Sequence, residues 1–191
     1  MIGPALRSAS DATWAAAVGG CVAVLAAAVP RGGLVSPEGF GDRHLYRTFA
    51  ERIVGGEIPY RDFFVEYPPG ALPVFVLPTA AGGQYAVAFK VLMALLGGAA
   101  VGFAALALGR LGRHGAALWA PVLAAALVPS LLATLSVNTY DVWPAFLVAV
   151  ALWALLGGRA PVALALLGLA TAAKLVPAVL LPLFLLSLIH I

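Results

Sequence analysis

The sequence predicts an all-α protein, a polytopic bundle of about six transmembrane helices whose first outer loop carries short helices. Hydrophobic residues make up 63% of the chain and charged residues only 10%, whereas about a quarter of a soluble domain is charged. The mean hydropathy is +1.03. Long apolar runs also alternate with short polar connections, and a helix needs roughly 20 apolar residues to cross a bilayer.

The apolar runs predict the individual elements. We expect full or short spans over residues 13–30, 84–108, 115–134, 142–157, 160–173 and 175–190. Residues 71–81 are apolar but short and contain Pro73 and Pro78, which favours an interfacial or re-entrant piece. The last two runs are expected to be two short helices separated at Lys174 and Pro177, with one kinked helix as the alternative.

Basic residues in the short connections predict the orientation. With the N-terminus inside, four arginines fall on the cytoplasmic side: Arg7, Arg110, Arg113 and Arg159. This is the positive-inside pattern, so we expect an integral protein of the plasma (inner) membrane with the loop 31–69 outside the cytoplasm. A signal peptide over residues 1–30 is the alternative, and it would leave the loop on the same side.

Composition also excludes several classes of function. The net charge of +3 is explained by loop asymmetry, so we expect a membrane environment and no nucleic-acid partner. A single cysteine, Cys21, excludes an intrachain disulfide and a thiolate metal site. We expect no cofactor and identify no metal ligand, and the sequence leaves a metal requirement open. Residues 1–191 show no repeat and no soluble segment. They predict one transmembrane domain, and its apolar end predicts the N-terminal part of a longer protein.

The first polar loop carries the candidate chemistry, since six of the eight acidic residues lie between residues 38 and 66. Asp42 follows the first span and stands beside Arg43 and His44. A carboxylate near the membrane surface and flanked by cations can act as a general base for a hydroxyl. The alternatives are a solvated loop acid or the N-cap of a helix predicted over residues 43–54.

Aromatic and proline residues follow in the same loop. In Glu66-Tyr67-Pro68-Pro69-Gly70 the two prolines fix the backbone and hold Tyr67 and Glu66 in a set direction, as a binding site requires. Tyr60 and Tyr67 suit stacking on a sugar, and an interfacial aromatic belt is the alternative.

Two lysines stand at positions where a membrane protein normally avoids charge. Lys90 lies inside the run 84–108, and Lys174 lies between the last two runs. An anionic ligand at the outer leaflet would explain both, and snorkelling to the interface is the alternative. Asp141 begins the run 142–157 on the same side, where it caps that helix or completes a polar pocket.

Five stretches together resemble a known family: residues 42–46, 56–63, 66–70, 141–144 and 168–177. In this order they are similar to glycosyltransferase family 87 of the GT-C superfamily. The most specific elements are Glu66-Tyr67-Pro68-Pro69-Gly70 and Lys174-Leu175-Val176-Pro177. The resemblance implies a bacterial multi-span hexosyltransferase that uses a polyprenyl-phosphate sugar, typically mannose. It also implies that the aspartate of the first outer loop is the base, and Asp42 holds that place.

The resemblance gives each candidate residue a role. A sugar phosphate already has a good leaving group, so a cation replaces a general acid, and we expect Lys174, with Lys90 or Arg61, to bind the donor phosphate. Four residues are expected to bind the sugar or a lipid or glycan acceptor: Glu66, Tyr67, Tyr60 and Asp141. Attack opposite the phosphate would invert the anomeric carbon. The alternative function is a fragment of a transporter or flippase for an anion.

Overall fold

The computed structural model describes residues 4–28, 41–132 and 135–189. Over these residues the regular structure is helical and no strand occurs; a single isolated bridge joins Pro59 and Phe63. The helices are α1 (Pro4–Ala28), α2 (Arg43–Val54), α3 (Leu72–Val76), α4 (Tyr85–Arg110), α5 (Ala116–Leu132), α6 (Leu135–Asn138), α7 (Val142–Leu156), α8 (Ala160–Ala173) and α9 (Leu181–Ile189). The all-α prediction is therefore confirmed for the described part of the chain.

Most helix boundaries agree with the sequence analysis. Helices α2 and α8 have the predicted bounds, and α4, α5 and α7 differ from prediction by one or two residues at their ends. Residues 29–40 of the predicted span and loop lie outside the described residues. The short apolar run at residues 71–81 is helical. It consists of α3 with a 3₁₀ turn on each side, at Pro69–Ala71 and Leu77–Gln84. Gly82, with φ of 59°, separates this stretch from α4.

The chain breaks at Lys174, as predicted. Lys174 has an extended backbone with φ of −155° and ψ of 137°, which ends α8. A 3₁₀ turn at Val176–Leu180 then leads into α9. Pro177 lies in that turn, where its missing N–H interrupts the helical hydrogen-bond ladder. Two helices are therefore present, and the alternative of one kinked helix is wrong.

Within the described part of the chain, two helical stretches are long and apolar enough to cross a membrane, Ser10–Ala28 and Pro69–Arg110. The remaining apolar helices are shorter. With 14 residues, α8 is about 21 Å long at 1.5 Å per residue, against a hydrocarbon core of about 30 Å. A bundle with six full spans therefore stays a prediction.

Helix α4 is the centre of the helical packing. It contacts α1 on one side and α7 on the other, and α7 in turn contacts α8. Helices α1 and α4 approach closely where Gly20 meets Gly98, since a Cβ built on Gly98 would lie 2.8 Å from the carbonyl oxygen of Gly20. Small residues at such crossings allow close helix packing without a water-driven hydrophobic effect.

A cluster of aromatic residues joins the loop to the bundle. Helix α2 buries Tyr46 and Phe49, and the ring of Tyr46 stacks on Phe75 of the α3 segment with 4.3 Å between centroids. Phe89 of α4 and Tyr140, which follows α6, also contact Tyr46. This cluster fixes α2 and the loop after it against the N-terminal ends of α4 and α7.

Candidate active site

Asp42 lies directly before α2 and points its carboxylate at a tyrosine. Its carbonyl oxygen accepts hydrogen bonds from the amides of Leu45 and Tyr46, but its side chain makes no capping bond to the helix. The Asp42 Oδ2 instead accepts a hydrogen bond of 3.0 Å from the hydroxyl of Tyr67. Asp42 thus holds the N-cap position of α2, as one alternative expected, but its carboxylate does not cap the helix. Asp42 is also exposed, so a substrate hydroxyl can reach it.

Tyr67 is held rigidly by its neighbours. Its backbone oxygen accepts a hydrogen bond of 2.6 Å from the Tyr60 hydroxyl, and its ring makes edge contacts with Tyr46 and Tyr140, each at 5.3 Å between centroids. Burial, followed by the hydrogen bond to Asp42, raises the pKa of Tyr67 above its ordinary value. Tyr67 therefore keeps its proton at neutral pH and serves as a donor to Asp42.

The backbone around Tyr67 follows from its sequence. Pro68 has φ of −63° and ψ of 154°, the extended geometry expected before a second proline, and Pro69 opens a 3₁₀ turn. Tyr60 has φ of 64°, a left-handed conformation that costs a non-glycine residue about 1–2 kcal/mol. The bonds from its amide to Phe63 and from its hydroxyl to Tyr67 hold it there. Glu66 is exposed beside Tyr67.

Lys174 and Asp141 form an ion pair. The Lys174 Nζ donates to Asp141 Oδ1, and the two side chains are 40% and 53% exposed. The Lys174 Nζ also lies 5.7 Å from the centroid of the Tyr140 ring. Asp141 occupies the N-cap position of α7 without a side-chain capping bond. Its carboxylate is therefore part of a polar pair and not a helix cap.

The ion pair lies at a cavity of about 540 Å³ between α7 and the turn after α8. Apart from Asp141 and Lys174 the lining is apolar: Pro144, Ala145, Val148, Val176, Pro177, Val179 and Leu180. A charged pair beside an apolar wall suits a ligand that carries a charged head and a hydrocarbon chain.

Tyr140 connects the two halves of the site, and the sequence analysis missed it. Its ring contacts Tyr67 on one side and faces Lys174 on the other, and its hydroxyl donates a hydrogen bond of 3.2 Å to the carbonyl of Ala173. Burial, followed by the charge of Asp141, raises its pKa to about 12. The only signal in the sequence was its position next to Asp141.

Gly70 brings the loop against the end of α8. The indole Nε1 of Trp143 donates a hydrogen bond of 2.9 Å to the Gly70 carbonyl. A Cβ built on Gly70 would lie 2.6 Å from the backbone of Ala172 and Ala173, so the backbones touch only because residue 70 has no side chain. The proline-rich element therefore lies against Ala173, the residue that precedes Lys174 in the chain.

Two predicted phosphate ligands are not brought to this cavity. Arg61 is exposed and forms an ion pair of 2.8 Å with Asp62, and Lys90 is 2% exposed within the bundle. Neither residue lines the cavity that Lys174 and Asp141 share. Within residues 4–28, 41–132 and 135–189, no three His, Cys, Asp or Glu side chains are placed to hold a metal ion.

The fold and the site define a helical, membrane-associated class of protein, with a carboxylate and an ion pair beside an apolar cavity. Residues 64–188 match the model of glycosyltransferase family 87. The match covers more than half of the chain, so the chain belongs to this family and is a glycosyltransferase. The resemblance inferred from the motifs is confirmed.

The matched segment contains five of the predicted site residues: Glu66, Tyr67, Lys90, Asp141 and Lys174. Asp42, Tyr60 and Arg61 precede it. The chain matches no curated protein and no solved structure. Family membership implies a sugar donor and an acceptor.

Proposed function

We propose that the protein transfers a hexose, mannose in the first instance, from a polyprenyl-phosphate donor to a lipid or glycan acceptor at the outer face of the plasma membrane. Asp42 is the general base, and the anomeric carbon is inverted. The observation that supports this proposal most directly is the apolar cavity of about 540 Å³ with Lys174 and Asp141 in its lining.

The cavity fits a lipid-borne donor better than a nucleotide sugar. A polyprenyl phosphate has an anionic head and a long hydrocarbon chain, and the cavity offers a cation next to an apolar wall. Lys174 carries this cation on an extended residue between two short helices, where its ammonium group can meet a phosphate. When the phosphate binds, it shares the ammonium group with Asp141, whose carboxylate then lies close to the sugar hydroxyls.

The proposed reaction needs a base at one side of the sugar and a cation at the other. The acceptor oxygen forms a bond to the anomeric carbon while the bond from that carbon to the phosphate oxygen breaks. The electron pair leaves with the phosphate, whose negative charge Lys174 stabilises. The acceptor proton passes to the Asp42 carboxylate, which Tyr67 holds in position through its 3.0 Å hydrogen bond. The transition state has oxocarbenium character, as in other glycosyl transfers.

The aromatic cluster fixes the distance between the proposed base, Asp42, and the proposed phosphate-binding cation, Lys174. Tyr67 contacts Asp42, Tyr140 contacts Tyr67, and Lys174 lies over Tyr140. A rigid row of two rings thus stands between the two charged groups. We infer that the sugar lies over this row, with its anomeric carbon between Asp42 and Lys174. Glu66 and Tyr60, at the edge of the same row, contact the sugar or the acceptor.

The choice of donor tests this proposal. Membrane vesicles that contain the protein as its own gene encodes it are supplied with radiolabelled polyprenyl-phosphate mannose or with a radiolabelled nucleotide-mannose, and labelled product is extracted. We expect transfer from the lipid donor only. Comparison with polyprenyl-phosphate glucose as donor measures the preference for mannose over glucose. Transfer from the nucleotide sugar, when synthesis of polyprenyl-phosphate mannose is blocked, would show that the donor assignment is wrong.

A further inference from the structure

A second pocket, of about 370 Å³, lies beside Asp42 and is not used by the reaction proposed above. Its polar lining comes from the first turns of α2, from α4 and from α6: Arg43, His44, Arg47, Thr48, Glu51, Tyr85 and Asn138. The pocket shares no lining residue with the apolar cavity at Lys174. Gly41 and Arg43, which flank Asp42 in the chain, both line it.

The pocket carries positive charge that its own residues do not neutralise. Arg43 donates a hydrogen bond of 2.6 Å to the side-chain oxygen of Asn138, an uncharged group. Arg47 is paired with Glu51 at 2.7 Å, so the guanidinium of Arg43 is the dominant charge. The pocket also lies against the N-terminal end of α2, where amide groups without helical partners favour an anion. The Asp42 side chain does not cap them.

A buried amide in the same lining points to a missing acceptor. Asn138 is 1% exposed, and its Nδ2 has no hydrogen-bond partner among the described residues. A buried amide donor without a partner costs free energy, and native structures rarely leave one unexplained. An oxyanion in the pocket would supply acceptor oxygens to Arg43, the α2 amides and the edge of Asn138 together.

We propose that this pocket binds a phosphate group. If the proposed function holds, the phosphate belongs to the headgroup of the acceptor, because both chain neighbours of the base line this pocket and no residue lines both it and the donor cavity. Arginine recognises phosphate through paired hydrogen bonds. His44 adds a donor on the same face of α2. The Thr48 hydroxyl donates a hydrogen bond of 3.1 Å to the His44 carbonyl, and its oxygen can accept one from a hydroxyl group attached to the phosphate.

The test is calorimetric binding to the purified full chain in detergent, without turnover, so its outcome does not depend on the transferase assay. The probes are dihexanoyl phosphatidic acid, sn-glycerol 3-phosphate and dihexanoylglycerol, which present the phosphate with chains, the phosphate alone and the chains alone. Arg43→Gln and Arg47→Gln remove charge from the pocket. Arg52→Gln is the matched control, because it removes the same charge from the same helix at a residue that pairs with Glu57 outside the pocket.

We expect phosphatidic acid to bind, dihexanoylglycerol not to bind, and Arg43→Gln to raise the Kd for phosphate probes about tenfold or more, as for a lost charge-assisted bond. A smaller rise is expected for Arg47→Gln, because the Arg47 side chain is exposed and already paired with Glu51. Phosphatidic acid bound much more tightly than glycerol 3-phosphate would identify a lipid headgroup, and equal affinity would identify a soluble phosphate compound. The proposal is overturned if neither phosphate probe binds, if dihexanoylglycerol binds equally well, or if Arg52→Gln weakens binding as much as Arg43→Gln.

Discussion

The hydroxyl of Tyr67 donates a hydrogen bond to the carboxylate of Asp42 across a distance of 3.0 Å, although 25 positions separate the two residues in the chain. The contact joins the start of α2 to the proline-rich element that leads into the long apolar stretch. It also gives each residue a distinct task. Asp42 is exposed and can receive a proton, while Tyr67 is packed among aromatic rings and fixes the direction of the carboxylate.

Substitution of Asp42 tests the base directly. We expect Asp42→Asn to fold normally and to lower the transfer rate by about 100-fold or more, the scale of a lost general base. The measurement is initial rate with saturating polyprenyl-phosphate sugar, together with the thermal unfolding temperature in detergent. Asp62→Asn is the control, since Asp62 is a carboxylate of the same loop whose partner is Arg61. Full activity in Asp42→Asn would move the role of base to Glu66.

Tyr67→Phe separates the positioning role of Tyr67 from a role in binding the sugar. The phenylalanine ring preserves the contacts with Tyr46 and Tyr140 but removes the hydrogen bond to Asp42. We expect kcat to fall about tenfold, the effect of a lost hydrogen bond to a charged group, while KM for the donor stays unchanged. A rise in KM with unchanged kcat would instead show that the hydroxyl contacts the substrate.

Lys174 is expected to bind the phosphate of the donor. A charge-assisted contact of this kind is worth roughly 1.5–3 kcal/mol, so Lys174→Ala should weaken donor use about tenfold to a hundredfold. Lys174→Arg should recover part of the loss, because the charge persists while its geometry changes. Steady-state kinetics against the polyprenyl-phosphate sugar at fixed acceptor provide the measurement.

Asp141 supplies the control for that experiment, because it is the partner of Lys174 in the structure. Asp141→Asn releases the ammonium group without removing it. If Lys174 only neutralises Asp141, the double variant Lys174→Ala with Asp141→Asn should use the donor better than Lys174→Ala. If Lys174 binds the phosphate, the double variant should use the donor no better than Lys174→Ala. An unchanged donor dependence in Lys174→Ala would assign the phosphate to another cation, with Lys90 and Arg61 the remaining candidates.

Gly70→Ala should disturb the site through packing alone. The new methyl group would lie 2.6 Å from the backbone at Ala172 and Ala173, and overpacking of this kind costs about 1–3 kcal/mol. We expect a lower unfolding temperature and a loss of donor affinity, because α8 must move at the residue before Lys174. Gly83→Ala is the matched control, since a Cβ there meets nothing within 4 Å. Equal unfolding temperatures for the two variants would contradict the contact.

Much of the secondary structure could be predicted from the sequence, since hydrophobic runs and prolines determine it locally. The bounds of α2 and α8 and the break at Lys174 are examples. Asp42, Asp141 and Lys174 were singled out as charges against an apolar background, and Tyr67 from the two prolines that follow it. Their roles stay predictions.

The pairing of these residues could not be predicted, because it depends on how distant segments pack. Asp141 and Lys174 are 33 positions apart, and Arg43 and Asn138 are 95 apart. Tyr140 carried no signal of its own, since an aromatic residue near a helix end is equally typical of an interfacial belt. Only the packing of α7 against α4 and α8 places its ring between Tyr67 and Lys174.

The aromatic cluster predicts how stability depends on pH. Tyr140 has a folded-state pKa of about 12 against an ordinary value of 10.0, so its neutral form is favoured in the folded protein. The stability that this group contributes is fully present below pH 10 and is lost as the pH rises toward 12. We expect the unfolding temperature to fall over this interval, and to fall less steeply in Tyr140→Phe. Identical pH profiles for the two proteins would contradict the assigned burial.

The orientation of the chain can be tested at two exposed positions that carry no charge. We expect the loop that contains Phe64 to lie outside the cytoplasm and the turn that contains Leu111 to lie inside, because the short connections on that side hold Arg110, Arg113 and Arg159. Phe64 is 81% exposed and Leu111 is 57% exposed, and replacing either by cysteine leaves the basic residues in place.

Cysteine labelling in intact cells gives the measurement, after Cys21 is changed to alanine to remove the background thiol. An impermeant thiol reagent should label Phe64→Cys before permeabilisation and Leu111→Cys only afterwards. Labelling of both after permeabilisation shows that each thiol is accessible. The reverse order would place Asp42 and Lys174 on the cytoplasmic side. It would contradict the proposal that the sugar is transferred at the outer face of the membrane.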